Sequence, residues 1–268
     1  MPSPIIFTSI INSYLPEPHA ALLNGILFGI DLKTSKEFYI ELKMVGLLHL
    51  VVLSGINITI LASIISTFTV FLGKRISILI TILMIILFIL FVGVKAPIIR
   101  AGIMGILTLV AIISGRKTLA LYSLFLSGLI TLIIKPQWLS SLSFHLSYAA
   151  TLGIILFGSV KHTKSKNPAD KISGVIWKEI KPSLAAQLFT VPIIFLAFKQ
   201  ISLIAPVSNL LVAPLMPPLM IFGFLTAILG KIHYLLGLIP SYICYGLLTY
   251  VIFIIKTLAK IPYIFFSF

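Results

Sequence analysis

From residue 45 onward, apolar runs long enough to cross a lipid bilayer follow one another, separated by short charged connections. A helix needs about 20 apolar residues to cross a bilayer core. Backbone polar groups in lipid must be paired within helices or within a closed barrel. These runs are far longer than the roughly ten-residue alternating strands of a barrel. The sequence therefore predicts an all-α, polytopic integral membrane protein.

The expected number of transmembrane helices is about seven to eight, with broken or re-entrant segments among them. Proline lacks an amide donor and clashes with the preceding turn of a helix. The prolines at 206, 214, 217 and 218 therefore predict a break or re-entrant part near residues 203–213. A long polar loop is expected at 161–182. The predicted spans are 45–73, 76–94, 98–114, 118–134, 139–160, 184–198, 215–230 and 233–255.

The first 43 residues are more mixed in composition, so we expect them to form a separate N-terminal part before a transmembrane domain at 44–268. A short amphipathic helix is predicted to end at Pro16. Residues 19–29 read as an apolar helix that is too short to span. Residues 31–46 carry many charges and are predicted to form an interfacial helix.

Charged residues make up 10% of the chain, against about 25% in soluble domains. The net charge of +14 is concentrated in the loops. Lysine and arginine hold loops in the cytoplasm, and composition favours this explanation over a polyanionic partner. Loops 74–75, 115–117 and 161–182 carry two, two and six basic residues, against one lysine in each of the loops 95–97 and 135–137, so we expect the first three on the cytoplasmic side. Loops 95–97 and 135–137 are expected on the opposite side, in a multi-pass protein of the cell (inner or plasma) membrane.

Polar residues interrupt the first predicted span, "GLLHLVVLSGINITILASII". His49 and Asn57 lie on one face of a helix, eight residues apart. Ser54 and Gly55 are the expected site of a bend, because a span of this length exceeds the bilayer core. Freed backbone groups are tolerated only inside protein or beside a water-filled cavity. The segment is therefore predicted to face an interior or a pore, although close helix packing would also explain its small residues.

Other polar positions lie within or at the edge of predicted spans, and such positions are usually functional in membranes. Arg100 lies just inside its span and could instead reach the interface along its own side chain. His145 and Ser147 share the fifth span. Between Pro206 and Pro214 the chain is expected to be non-helical. The full set of candidate pore residues is His49, Ser54, Gly55, Asn57, Lys95, Arg100, His145, Gln187, Ser208 and Asn209.

Five segments, in order, resemble the competence domain of the ComEC family of DNA-uptake proteins. They are "AALLNGILFGI", "GLLHLVVLSGINITIL", "KAPIIRAGIMGIL", "LSFHLSYAATLGIILF" and "LAAQLFTVPIIFLAFKQISLIAPVSNLLVAPLMPPLMI". Apolar motifs match by accident when taken singly, but five in the same order over roughly residues 15–230 do not. The chain departs from the family where it has Asn57 in place of a histidine and His145 in place of a glutamine.

The resemblance implies a membrane channel component that passes single-stranded DNA during natural transformation. Full-length members also carry an external domain and a metallo-β-lactamase-like nuclease domain. Five scattered histidines and two aspartates offer no zinc-hydrolase cluster here, so we expect no metal, no cofactor and no enzyme activity. The expected identity is a reduced member or one part of a split system. The expected partners are single-stranded DNA, membrane lipid and separate nuclease and cytoplasmic helicase or motor proteins, with homo-oligomerisation left open.

Two other functions fit parts of the sequence. A small-molecule transporter would use the proline-rich region as a broken helix at its binding site. An intramembrane serine hydrolase would pair Ser54 with His145, provided that the two side chains were within hydrogen-bond reach.

Overall fold

The structure is a computed structural model that describes residues 4–48, 55–117, 119–158, 168–261 and 265–267. Nearly all of the described chain is helical, and two three-residue strands pair antiparallel with Gln200 opposite Ser267. The helices are α1 (Ile5–Tyr14), α2 (His19–Phe28), α3 (Lys36–Met44), α4 (Gly55–Thr69), α5 (Lys74–Val92), α6 (Ala96–Ile113), α7 (Ala120–Ile134), α8 (Leu142–Phe157), α9 (Pro168–Phe198), α10 (Ala205–Val212), α11 (Met216–Ile232) and α12 (Tyr234–Ala259), and the strands are β1 (Gln200–Ser202) and β2 (Phe265–Ser267).

Helix α2 lies at the centre of the larger hydrophobic core. Its residues from Ala20 to Phe28 are all buried, as expected for a helix that is apolar on every face. Helices α1, α3, α11 and α12 contribute the side chains around it. It ends at Gly29, whose φ of 63° is left-handed, a conformation that glycine adopts without strain. The predicted short helices at the start of the chain are therefore confirmed as helices.

Helix α3 is the charged helix predicted within residues 31–46. Ser35 caps it by accepting a hydrogen bond from the Phe38 amide, and Lys43 lies in its last turn. A cap and a terminal cation both satisfy the exposed backbone groups of a helix end. Phe38 and Leu42 are buried in the larger core. Whether this helix lies at the membrane interface stays a prediction, as does the domain boundary at residue 43.

A second, smaller core joins α4, α5 and α6 through Ile58, Ile85 and Ile98. Helices α8 and α9 also pack closely, since a Cβ on Gly153 would collide with the carbonyl of Ala185. Large apolar side chains on the outside of α5 and α7, such as Leu83 and Phe125, are exposed. Such extensive exposed apolar surface is typical of a chain whose solvent is lipid.

Five helical stretches are long and apolar enough to cross a membrane: Lys74–Val92, Ala96–Ile113, Ile180–Ala197, Ala205–Ile232 and Tyr234–Ala259. The predicted count of seven to eight spans is not confirmed. The difference lies partly in α7 and α8, which have 15 and 16 residues. They are shortened by the turn that joins them, where Pro136 opens a 3₁₀ segment that runs to Ser140.

Two predictions about the second half of the chain were wrong. The polar loop expected at 161–182 is helical from Pro168 onward, and α9 continues through Pro182 and Pro192. The backbone expected to be non-helical between Pro206 and Pro214 is helical over Ala205–Val212. Pro206 lies in the first turn of α10, where a missing amide donor costs nothing. The helix tightens to a 3₁₀ turn at Ala213–Leu215, which contains Pro214.

Candidate functional site

Arg100 is a buried charged side chain on α6, one of the three helices that form the smaller core. It lies in the second turn of α6, and 8% of its surface is exposed. Its Nε donates a hydrogen bond of 2.8 Å to Ser147 Oγ on α8. Its Nη1 lies 3.5 Å from Met104 Sδ, one turn along the same helix. Both partners are neutral, so they orient the guanidinium group without compensating its charge.

Gly55 provides the space that the Arg100 guanidinium occupies. A Cβ built on Gly55 would lie 2.8 Å from Arg100 Nη2 and 3.3 Å from Ala101 Cβ. Both distances are shorter than ordinary van der Waals contact. A glycine at this position therefore lets α4 approach α6 while Arg100 keeps its orientation.

Asn57 and Lys95 both bind the C-terminal end of α2. The Asn57 amide donates to the Ile26 carbonyl at 2.8 Å, and Lys95 Nζ donates to the Gly29 carbonyl at 2.8 Å. The last carbonyls of a helix lack partners within the helix and carry partial negative charge. An amide and an ammonium group from two other parts of the chain therefore satisfy this buried helix end.

Four of the predicted site residues thus come together. Gly55 and Asn57 are two residues apart on α4, and they contact Arg100 and the end of α2 respectively. Lys95 contacts the same end of α2. Asn57 and Lys95 are thus joined through the end of α2, whereas Gly55 and Arg100 contact each other directly.

Ser208 and Asn209 form a separate polar group on α10. Ser208 is fully buried, and its hydroxyl donates to the Val45 carbonyl at 2.8 Å. Asn209 Nδ2 donates to Ser183 Oγ on α9 at 3.2 Å. Its Oδ1 is buried and has no hydrogen-bond partner. These contacts hold α10 against its neighbours.

The remaining candidates are placed differently. His145 is exposed, and its Nδ1 lies 3.1 Å from the carbonyl of Ser141, the residue that caps the start of its own helix. Gln187 is half-buried on α9. His49 and Ser54 lie outside the described residues, so the predicted bend at Ser54–Gly55 stays a prediction. Within the described part of the chain, no three His, Cys, Asp or Glu side chains are grouped as metal ligands would be.

Sequence reasoning did not identify Ser147 and Met104 as the partners of Arg100. Ser147 was recognised as a polar residue in a span, but 47 residues separate it from Arg100. Met104 could have been predicted as a partner of Arg100, because it lies four residues later and therefore on the same helix face. Nothing in the sequence indicated that the backbone carbonyls of Ile26 and Gly29 bind Asn57 and Lys95.

Comparison with known proteins places the chain in a sequence context. The family model described as Competence protein matches residues 26–268. ComE operon protein 3 of Bacillus subtilis (strain 168) is 26% identical over 209 residues, which are 77% of this chain and 26% of that protein. The chain thus spans about a quarter of the length of this curated relative. No solved structure matches the chain.

Proposed function

The chain belongs to the Competence protein family, as its ordered motifs predicted, and from that premise we propose that it is a channel component for uptake of single-stranded DNA. The proposed location is the cell (inner or plasma) membrane, crossed several times. The family model is described as Competence protein, which supports a role in natural transformation, and the relative in Bacillus subtilis is ComE operon protein 3. The proposed role needs no bond-breaking step by this chain.

One observation carries the proposal: Arg100 is oriented by neutral partners at the edge of a predicted span. Ser147 and Met104 fix two of its nitrogens, and no carboxylate of the described residues pairs with it. A conduit for single-stranded DNA must hold the phosphodiester backbone without reading the bases. A guanidinium group is always charged and grips phosphate oxygens with parallel donors. Arg100 is therefore the proposed phosphate contact near the outer mouth.

The proposed path joins Arg100 with the other candidate residues, including His145 and Gln187. Those assignments are also proposals.

Movement of DNA through this chain would require other proteins. The sequence carries no P-loop nucleotide-binding motif, so the proposed motor is a separate cytoplasmic helicase. A separate nuclease is the proposed source of the single strand. Membrane lipid is the remaining proposed partner, and a second copy of the chain is compatible with the proposal.

Substitution of Arg100 tests the proposed function. A charged hydrogen bond is worth about 1.5–3 kcal/mol, so Arg100→Gln should reduce uptake by about ten- to a hundredfold. Arg100→Lys keeps the charge but loses the paired donors, so its uptake should lie between those of Arg100→Gln and the parent. The measurement is nuclease-protected labelled DNA in cells that depend on this chain. Arg116→Gln, an exposed arginine in the loop before α7, is the matched control.

Membrane levels of each variant must equal those of the parent protein for this comparison to count. Unchanged uptake in a well-inserted Arg100→Gln variant would contradict the proposed phosphate contact. Arg100 would then serve only to set the depth of α6 in the membrane.

A further inference from the structure

An apolar groove of about 820 Å³ lies between α7 and α8. Tyr122, Phe125 and Leu129 line it from α7, and Leu152 lines it from α8. Tyr122 and Phe125 are well exposed, so the groove opens to the outside of the helical bundle. Both helices are apolar, so the groove would face hydrocarbon and not water where α7 and α8 lie within the bilayer.

The Tyr148 hydroxyl, a polar group close to the groove, points away from the groove. Tyr148 lines the groove with its ring, but its hydroxyl is directed toward α7, 3.1 Å from Ser127 Oγ and 3.5 Å from Thr131 Oγ1. Both α7 hydroxyls are buried. The groove wall that remains is nearly all carbon, which suits an acyl chain. A strand of nucleotides would need polar groups for its phosphates along the same path.

One end of the groove carries the residues typical of a membrane interface. Leu139 lines the groove and lies in the turn between α7 and α8, beside Trp138. Lys135 Nζ lies 5.1 Å from the centroid of the Trp138 ring. Tryptophan and lysine at the ends of membrane helices lie at headgroup level. A lipid chain in the groove would therefore place its headgroup within reach of this ammonium group.

Helices α7 and α8 are short, which brings the headgroup region of the membrane close to the end of the groove. Helices α7 and α8 have 15 and 16 residues, so each is about 22–24 Å long. A bilayer core is about 30 Å thick, and short helices are accommodated by local thinning. Thinning draws the headgroups toward Lys135 and Trp138. The charge of Lys135 then selects an anionic headgroup over a zwitterionic one.

We propose that this groove is a binding site for one anionic phospholipid, with an acyl chain between α7 and α8 and the headgroup at Lys135. The proposal is independent of the proposed role in DNA uptake. A lipid is the proposed occupant because the apolar wall matches an acyl chain and the cationic end matches an anionic headgroup. A second copy of the chain or single-stranded DNA in the groove would be a different occupant.

Matched variants on α7 test the site. Leu129→Trp fills the groove. Ile133→Trp adds the same ring at an exposed position that does not line the groove. Lys135→Gln removes the cation, and Arg116→Gln is its control at another loop. The full chain is purified in detergent and titrated with dioleoyl phosphatidylglycerol or dioleoyl phosphatidylcholine. Native mass spectrometry counts the bound lipids, and the thermal unfolding midpoint is measured in parallel.

The parent chain and Ile133→Trp should each retain one phosphatidylglycerol and be stabilised by it more than by phosphatidylcholine. Leu129→Trp should lose the bound lipid and the stabilisation. Lys135→Gln should lose about fivefold in preference for phosphatidylglycerol, as expected for one lysine near a charged surface.

Three results would overturn the proposal. The first is that the parent chain and Lys135→Gln each bind phosphatidylglycerol and phosphatidylcholine equally well. The second is a change of oligomeric state in Leu129→Trp with lipid binding intact, which would assign the groove to a second copy. The third is a rise in the thermal unfolding midpoint that an oligothymidylate causes in the parent chain but not in Leu129→Trp, which would assign the groove to DNA.

Discussion

The contact between Gly55 and Arg100 makes a specific prediction about a single methyl group. In Gly55→Ala the new Cβ would lie 2.8 Å from Arg100 Nη2, and the flexible end of the arginine would move to relieve the contact. If Arg100 is a phosphate contact, its displacement should lower DNA uptake severalfold while the chain still inserts. Gly246→Ala on α12 is the control, because a Cβ there meets nothing within 4 Å. Nuclease-protected uptake is the measurement.

A double variant separates displacement of Arg100 from a general defect in α4. When Arg100→Gln has already removed the guanidinium group, Gly55→Ala should add little further loss. Residues in contact show such non-additive effects, whereas distant independent sites add. Fully additive losses would mean that Gly55 acts through some other contact of α4.

The sequence identified the polar residues of the site but not their partners. Gly55, Asn57, Lys95 and Arg100 stand out because polar groups and glycines at these positions interrupt apolar runs or lie at their edges. Lys95 stays a predicted pore residue, but the sequence did not indicate that its ammonium group binds the Gly29 carbonyl, 66 residues away. Pairings across such separations depend on how helices pack, and a single sequence carries no direct record of that.

The packing of α8 on α9 depends on Gly153, and its substitution should destabilise the pair. A Cβ at this position would collide with the backbone carbonyl of Ala185 and approach the Phe189 ring to 2.9 Å. Backbone cannot move aside as a side-chain tip can, so the helices would have to separate. Gly153→Ala should cost about 1–3 kcal/mol, as overpacking typically does. The thermal unfolding midpoint in detergent should therefore fall by several degrees.

Gly128→Ala on α7 is the matched control for that experiment. Its Cβ would meet Tyr148 at 3.6 Å, which is ordinary contact. Alanine also favours a helix over glycine by about 1 kcal/mol, so this variant should be neutral or more stable. Equal behaviour of the two variants would show that α8 and α9 do not pack as closely as the structure places them.

Helix boundaries were predicted well at Gly29, where α2 ends, and poorly where prolines were interpreted as breaks. Helix α3 begins at Lys36, after the Ser35 cap, and not at residue 31 as predicted. The error over 205–212 has a simple cause: two prolines eight residues apart leave room for a short helix with one of them in its first turn. The error over 168–182 arose because lysine density was interpreted as loop. Lysine is also a good helix former, and α9 extends through this region.

The arrangement of the chain across the membrane can be tested on either side of α7. Loops 115–117 and 135–137 are predicted on opposite sides, because basic residues retain loops in the cytoplasm. In Gln137→Cys an impermeant maleimide should label intact cells. In Lys117→Cys it should label only after permeabilisation. The native Cys244 is buried and should contribute little background.

Labelling of both positions from one side would mean that α7 does not cross the membrane. That outcome has a physical basis, since 15 residues fall short of the usual span length. Labelling from opposite sides with the reverse polarity would invert the charge-based map and leave the crossing intact.

Family membership and an all-helical membrane architecture could both be predicted from the sequence. Five motifs in order identified the family that the comparison then matched over residues 26–268. The burial of α2 could not be predicted in the same way. Its apolar character indicated a helix too short to span, but two of the helices that pack around it, α11 and α12, come from the other end of the chain.

That burial fixes the order in which the protein can be completed during synthesis. Tyr14 Oη donates to the Tyr234 carbonyl, and His19 Nε2 lies 3.0 Å from Thr249 Oγ1, across separations of 220 and 230 residues. At about 5–20 residues per second, the ribosome needs roughly 11–46 seconds to make the partners of α1 and α2. Through that interval α2 is an apolar helix that neither spans the bilayer nor has a core to enter. Helices α1 and α2 therefore wait for partners translated 220 and 230 residues later, and during that wait α2 needs shelter from lipid or from the insertion machinery.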